Sequence, residues 1–238
     1  MKINFTLGTI LAFVVLQFFL VEAHELAHTS VGRMLCGCWG PRDFNMWELC
    51  KTCAVGEPWS MLPTFIGPLF TYAVMWVGYV LLAPARPVAQ QSLGFALVLA
   101  PLPAGRMLGI AMGGQDEIYG LTSFMPHGTA WVLGGALMLA IMLPPLVRAF
   151  RALRHRDRVA VFLGFFLLPT VLSLLVILGG LNSLLASGLL AGPGLLGSPL
   201  LVNAWTVLLS LVLALTYRRL YVLGVPAAVG EPIVAAQG

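Results

Sequence analysis

The apolar run Phe5-Thr6-Leu7-Gly8-Thr9-Ile10-Leu11-Ala12-Phe13-Val14-Val15-Leu16-Gln17-Phe18-Phe19-Leu20-Val21-Glu22-Ala23 leads straight into His24-Glu25-Leu26-Ala27-His28. A run of this length is long enough to cross a bilayer as a helix. HExxH on a helix stacks two imidazoles at i and i+4 on one face, where they can grip one Zn²⁺. The glutamate between them can take a proton from a water bound to that metal. His24 lies 19 residues beyond Phe5, about 29 Å along a helix, which brings it near the far boundary of the hydrocarbon.

The whole chain extends this reading. Its 238 residues are 59% hydrophobic and 9% charged, with a mean hydropathy of +0.94. Such a composition excludes an ordinary soluble domain. The segments are long and continuous, without the period-2 alternation of an outer-membrane barrel. The expected fold is an all-α polytopic membrane protein with six spans at about 5–30, 61–83, 93–112, 129–148, 159–179 and 200–221. Residues 1–223 form a single helical membrane domain. Its metal-site core is 5–120 and its accessory helices lie within 129–221, with a short tail at 224–238. Lys2 followed by an apolar stretch also resembles a secretory signal. Cleavage near Ala23 would cut beside His24, so the segment is read as a retained first span.

Arg148, Arg151, Arg154, Arg156 and Arg158 supply most of the net charge of +4. They read as a cytoplasmic loop under the positive-inside rule rather than as a nucleic-acid surface. Lys2, Arg86, Arg218 and Arg219 fall on the same side of this topology. The expected orientation is therefore N-in and C-in, with the loops 36–60, 113–128 and 180–199 outside. The expected location is the inner membrane of a bacterium, with the metal site near the extracytoplasmic face. Trp39, Trp47, Trp59 and Trp131 fall at the outer boundary as an aromatic belt. The 180–199 loop is too apolar for a free loop. Dipping back into the bilayer and covering the site both remain open for it.

All four cysteines, Cys36, Cys38, Cys50 and Cys53, lie between the first two spans. An extracytoplasmic loop favours disulfides, and a nested Cys36–Cys53 and Cys38–Cys50 pairing is one of three connectivities. A structural zinc site is the alternative.

A catalytic zinc usually has three protein ligands and one open position. Asp157 and Glu231 are on the wrong side for a third ligand, and Asp43, Glu48 and Glu57 read as solvated loop residues. Asp116 and Glu117 follow the third span after the breaker Gly113-Gly114, on the side of the HExxH motif. Asp116 is the expected third ligand, with Glu117 in reserve and His127 a further candidate. Glu22 shares a helix face with Glu25 and is expected to support a ligand or pair with Arg33 or Arg106. Arg106, in an apolar span, is expected to pair with Glu22, Asp116 or a substrate carbonyl.

These residues resemble the site-2 protease family of intramembrane zinc metallopeptidases, and the chain looks like a divergent member. That family carries HExxH in its first core helix, matched by His24 to His28. It then carries Gly-Pro with an Asn three residues on, which Gly67-Pro68-Leu69-Phe70-Thr71 resembles, with Thr71 at the Asn position. A Pro-rich stretch ending in Asp-Gly follows in the third helix, and Pro101-Leu102-Pro103-Ala104-Gly105-Arg106 resembles it. Pro103 or Ala104 stands where that family has its ligand aspartate. That family's zinc also lies nearer the cytoplasmic face, whereas the arginines here put the motif outside.

The resemblance implies one Zn²⁺ per chain, held by His24, His28 and Asp116, with Glu25 as the base. It further implies that Thr71 contacts the substrate strand or the oxyanion. The partners would be the lipid bilayer and a membrane-protein or peptide substrate, with a homo-oligomer or membrane complex possible and no nucleic acid. The competing readings are a non-proteolytic membrane metalloprotein and an inactive scaffold or adaptor.

Overall fold

The computed structural model describes residues 1–53 and 58–226; Glu57, Glu231 and the tail beyond residue 226 lie outside the described residues. Six helical runs are long and apolar enough to span a membrane: Leu7–Cys36, Trp59–Leu81, Val88–Ala111, His127–Ala152, Arg158–Ala186 and Leu200–Val222. The protein is an all-α integral membrane protein. A two-residue antiparallel pair, β1 (Lys2–Ile3) with β2 (Gly224–Val225), is the sheet among the described residues.

Helix α1 (Leu7–Cys36) organises the bundle. Thr6 and Thr9 form a reciprocal capping box at its start, each side-chain oxygen accepting from the other's backbone N–H at 3.3 and 3.2 Å. Gly37, at φ +76°, ends it in the left-handed conformation that glycine adopts without a Cβ penalty. At about 1.5 Å per residue this helix is longer than the ~30 Å hydrocarbon thickness requires. It is apolar nearly all round because it is packed on two sides. Phe13, Leu16 and Leu20 join the main core, with Met75 of α2 (Leu62–Leu81) and Phe95 of α3 (Val88–Leu99). Val15 and Phe18 join a second cluster with Ile177 of the fifth span and Val202 and Leu209 of α9 (Leu200–Thr216).

The third span is not one helix. Ala100-Pro101-Leu102 interrupts it, with Leu102 at φ +55°, and α4 (Pro103–Ala111) restarts on Pro103. Two prolines within three residues remove two backbone donors, which makes continuous helix unfavourable here. The span also begins at Val88, earlier than expected. After Gly113, at φ +73°, the short α5 (Asp116–Thr122) folds back over the bundle and leads to α6 (His127–Ala152). The fifth span runs through α7 (Arg158–Leu172), a π-helical stretch Ser173–Leu181 and α8 (Asn182–Ala186). The expected 180–199 loop is therefore helical over its first residues.

One end of the bundle gathers the N-terminus, residues 223–225 and the arginine-rich loop. The Met1 amino group donates to the Ala152 carbonyl at 2.7 Å, and the Arg154 N–H donates to the Met1 carbonyl at 2.8 Å. The Asn4 N–H donates to the Leu223 carbonyl at 2.7 Å, and Arg148 donates to the Tyr79 carbonyl at 3.0 Å. The opposite end carries the cysteine loop, the HExxH motif and α5. That loop is closed by nested disulfides, Cys36–Cys53 and Cys38–Cys50.

Candidate metal centre

The HExxH helix and α5 bring three ligand atoms to one point. His24 Nε2 lies 3.0 Å from His28 Nε2 and 3.3 Å from Asp116 Oδ2, and His28 Nε2 lies 3.6 Å from that oxygen. Ligand bonds of ~2.0–2.2 Å at tetrahedral angles place ligand atoms roughly 3.3–3.6 Å apart. The two distances to Asp116 Oδ2 have that spacing, and the His24–His28 separation, at 3.0 Å, is shorter, so a small side-chain shift would bring the trio to three corners of a zinc tetrahedron. It is the single group of this kind among the described residues. Three inward-facing acceptor atoms this close repel one another unless a cation or a proton lies between them.

Each imidazole is fixed through its other nitrogen, as metal ligands usually are. His28, fully buried, donates from Nδ1 to the Pro63 carbonyl at 2.6 Å, which leaves Nε2 with its lone pair toward the trio. Gly67 allows this placement: a Cβ there would stand 2.2 Å from His28 Nε2. Trp47 of the cysteine loop stacks on the His28 ring, with centroids 4.6 Å apart and planes at 12°. His24 Nδ1 lies 2.9 Å from Thr71 Oγ1 and 3.2 Å from Arg106 Nη2.

Arg106 is held in turn. Its Nη1 donates to Glu117 Oε1 at 2.9 Å, and its guanidinium lies 5.4 Å from the Tyr72 ring centroid. The Tyr72 hydroxyl donates to the same glutamate oxygen. The reserve ligand Glu117 therefore faces Arg106 and Tyr72, and it is the partner that Arg106 finds. His127 is engaged elsewhere, donating from Nε2 to the Gly113 carbonyl, 3.0 Å away.

Glu22 does not reach the trio or Arg106. It pairs with Arg42 of the cysteine loop at 3.1 Å and accepts from Thr206 Oγ1 of α9 at 2.8 Å. The expectation that it supports a ligand histidine is corrected by its position on the far face of α1. Helical spacing puts Glu22 near Glu25, but α9 and the loop provide its partners.

The trio opens onto a cavity of about 850 Å³ lined by His24, Glu25, Thr71, Arg106 and Asp116. Leu20, Val21, Phe70 and Val74 form an apolar wall, and Asn45 to Leu49 of the cysteine loop form another. Glu25 is buried, and its Oε2 has no hydrogen-bond partner. Glu25 lines the cavity beside the trio, where its carboxyl could take a proton from a molecule held there after a modest side-chain rotation.

Sequence reasoning did not foresee the Pro63 carbonyl, Tyr72 or Trp47 as neighbours of the site. Trp47 carried a signal only as an interfacial aromatic. Neither its stacking nor the Tyr72 hydroxyl has a local sequence signature. No protein-family model, no curated protein and no solved structure matches the chain.

Proposed function

We propose that this protein is a zinc-dependent membrane metalloendopeptidase that cleaves membrane-protein segments or secreted peptides. The observation that carries the reading is the convergence of His24 Nε2, His28 Nε2 and Asp116 Oδ2 within 3.0–3.6 Å of one another, beside Glu25, whose Oε2 has no hydrogen-bond partner. His24, His28 and Asp116 would hold one zinc and leave one corner facing the cavity. When bound, the metal supplies a polarised carbonyl and a water acidic enough to lose a proton near neutral pH.

The remaining chemistry belongs to the chain. Glu25 takes the proton from the attacking water and returns it to the leaving amine. Thr71 Oγ1, which itself takes a hydrogen bond from Arg106 Nη2, accepts the Nδ1 proton of His24, and the Pro63 carbonyl accepts that of His28. The apolar wall excludes bulk water and seats apolar substrate residues, consistent with a substrate drawn from the bilayer or its surface.

In the orientation favoured by the arginines, the end bearing Arg148 to Arg158 is cytoplasmic and the metal centre is extracytoplasmic, in a bacterial inner membrane. Disulfides in the loop beside the centre support that side. Compartment-specific labelling of a single cysteine introduced in the 148–158 loop tests it.

Purified protein should contain about one zinc per chain and cleave peptides, while Glu25→Gln should retain the zinc and lose cleavage. Zinc in both forms with no cleavage by either would favour a non-proteolytic metalloprotein or an inactive scaffold. No zinc, or another metal in stoichiometric amount, overturns the proposal.

A further inference from the structure

Three features of the cysteine loop converge on the metal centre. Its Trp47 ring lies flat on the His28 imidazole. Its residues Asn45 to Leu49 form one wall of the cavity. Its backbone is tied down on both sides of Trp47. Cys36–Cys53 and Cys38–Cys50 close it at the base, and Trp47 bridges to Arg42 across the loop. Arg42 is buried and anchored to three separate elements: Glu22 of α1 at 3.1 Å, Ser198 Oγ at 2.7 Å, and Thr206 of α9 at 3.5 Å. The Arg42 N–H also donates to the Gly197 carbonyl at 3.2 Å, joining the loop to the one after α8.

His28 is constrained by Pro63 at Nδ1 and by Gly67 at its Nε2 edge, both from α2. Trp47 supplies a further constraint, on the ring face, and it comes from the stapled loop. A ligand imidazole free to tilt loses the alignment of its lone pair with the metal, so the groups around it set how long the metal stays.

We propose that residues 36–53 form a redox-locked cap on the metal centre, in which Trp47 is the positioning residue for His28. The two disulfides keep Trp47 in place, so metal retention depends on the oxidation state of these cysteines. Unlocking each disulfide breaks one S–S bond and adds two electrons and two protons to give two thiols. A dithiol reductant supplies these and is itself oxidised to a disulfide. The inference rests on the metal reading of the trio but not on proteolysis.

The test times zinc release from the full-length protein in detergent after addition of an excess of a chromogenic chelator. Wild type is compared with Trp47→Phe, with Trp47→Ala, and with wild type reduced by dithiothreitol and then alkylated. Alkylation prevents the freed thiols from taking up the metal. Release should accelerate roughly tenfold or more in Trp47→Ala and in the reduced, alkylated protein. Trp47→Phe, which keeps an aromatic face on the imidazole, should stay within about threefold of wild type. Should Trp47→Ala not fold, the oxidised and reduced wild type carry the same comparison. Zinc that leaves equally fast from oxidised and reduced protein overturns the cap alone. Oxidised wild type that binds no zinc overturns the metal reading and the cap with it.

Discussion

Two buried arginine–glutamate pairs flank α1, and they solve different problems. Arg106–Glu117, at 2.9 Å, lies on the cavity side, and its Nη2 donates to Thr71 and lies 3.2 Å from the ligand candidate His24. Arg42–Glu22, at 3.1 Å, lies on the opposite side and joins α1 to the cysteine loop, to Ser198 and to α9. The first is surrounded by other charge-bearing or hydrogen-bonding groups from α2, Tyr72 and Thr71. The second is nearly sealed, with Glu22 Oε1 and Arg42 Nη1 left without partners, whereas in the first Glu117 Oε2 is the unpartnered atom. A buried pair contributes little net stability by itself, because desolvation offsets the attraction, but breaking one side of it is expensive. The comparison indicates that one pair shapes a site and the other pins a lid.

Breaking the pinning pair should have the largest effect on stability. Arg42→Ala should destabilise the protein by about 3–5 kcal/mol by stranding Glu22 as a buried charge. A thermal melt in detergent reads this, and adding Glu22→Leu should restore much of the loss. A melt unchanged by Arg42→Ala would mean that the loop is held by its disulfides alone.

On the site side, Gly67→Ala should abolish stoichiometric zinc binding, because the added Cβ would occupy space 2.2 Å from His28 Nε2. Metal analysis of the folded variant checks it. Arg106→Ala should lower zinc affinity roughly 10–100-fold by releasing His24 and Glu117 together, read by chelator competition. If Arg106→Ala instead left affinity intact and lowered only stability, the two pairs would be equivalent and the comparison would fail. Thr71→Val removes one contact to His24 Nδ1 and keeps the side-chain volume, so its loss of affinity should fall near or below the lower end of that range, about tenfold. Thr6→Ala, far from both pairs, should cost only about 1 kcal/mol through loss of the α1 cap.

The contrast between the pairs also shows what can be read in advance. The sequence points Arg106 to Glu22, Asp116 or a substrate, yet its partner is Glu117, one residue from the ligand candidate. On the short helix α5, neighbouring positions point about 100° apart, so Asp116 and Glu117 face different groups. Which of the two faces the histidines depends on how α5 is set after Gly113, a matter of a few dihedral angles. For Glu22 the helical spacing to Glu25 was a poor guide. Glu22 and Glu25 are neighbours on α1, but the elements that meet each of them come from distant parts of the chain.

The amino-acid sequence alone determined the six apolar spans, the helical class, the HExxH pair and the side of the bundle on which Asp116 falls. These depend on local hydrophobicity, on helical periodicity and on the alternation of spans across a bilayer, all written into consecutive residues. Tertiary structure decided the nested cysteine pairing, the separation of the two ion pairs and the Trp47 stack on His28. Each of these brings together side chains far apart in sequence, and their choice of partner is set by packing and desolvation, which no single segment encodes.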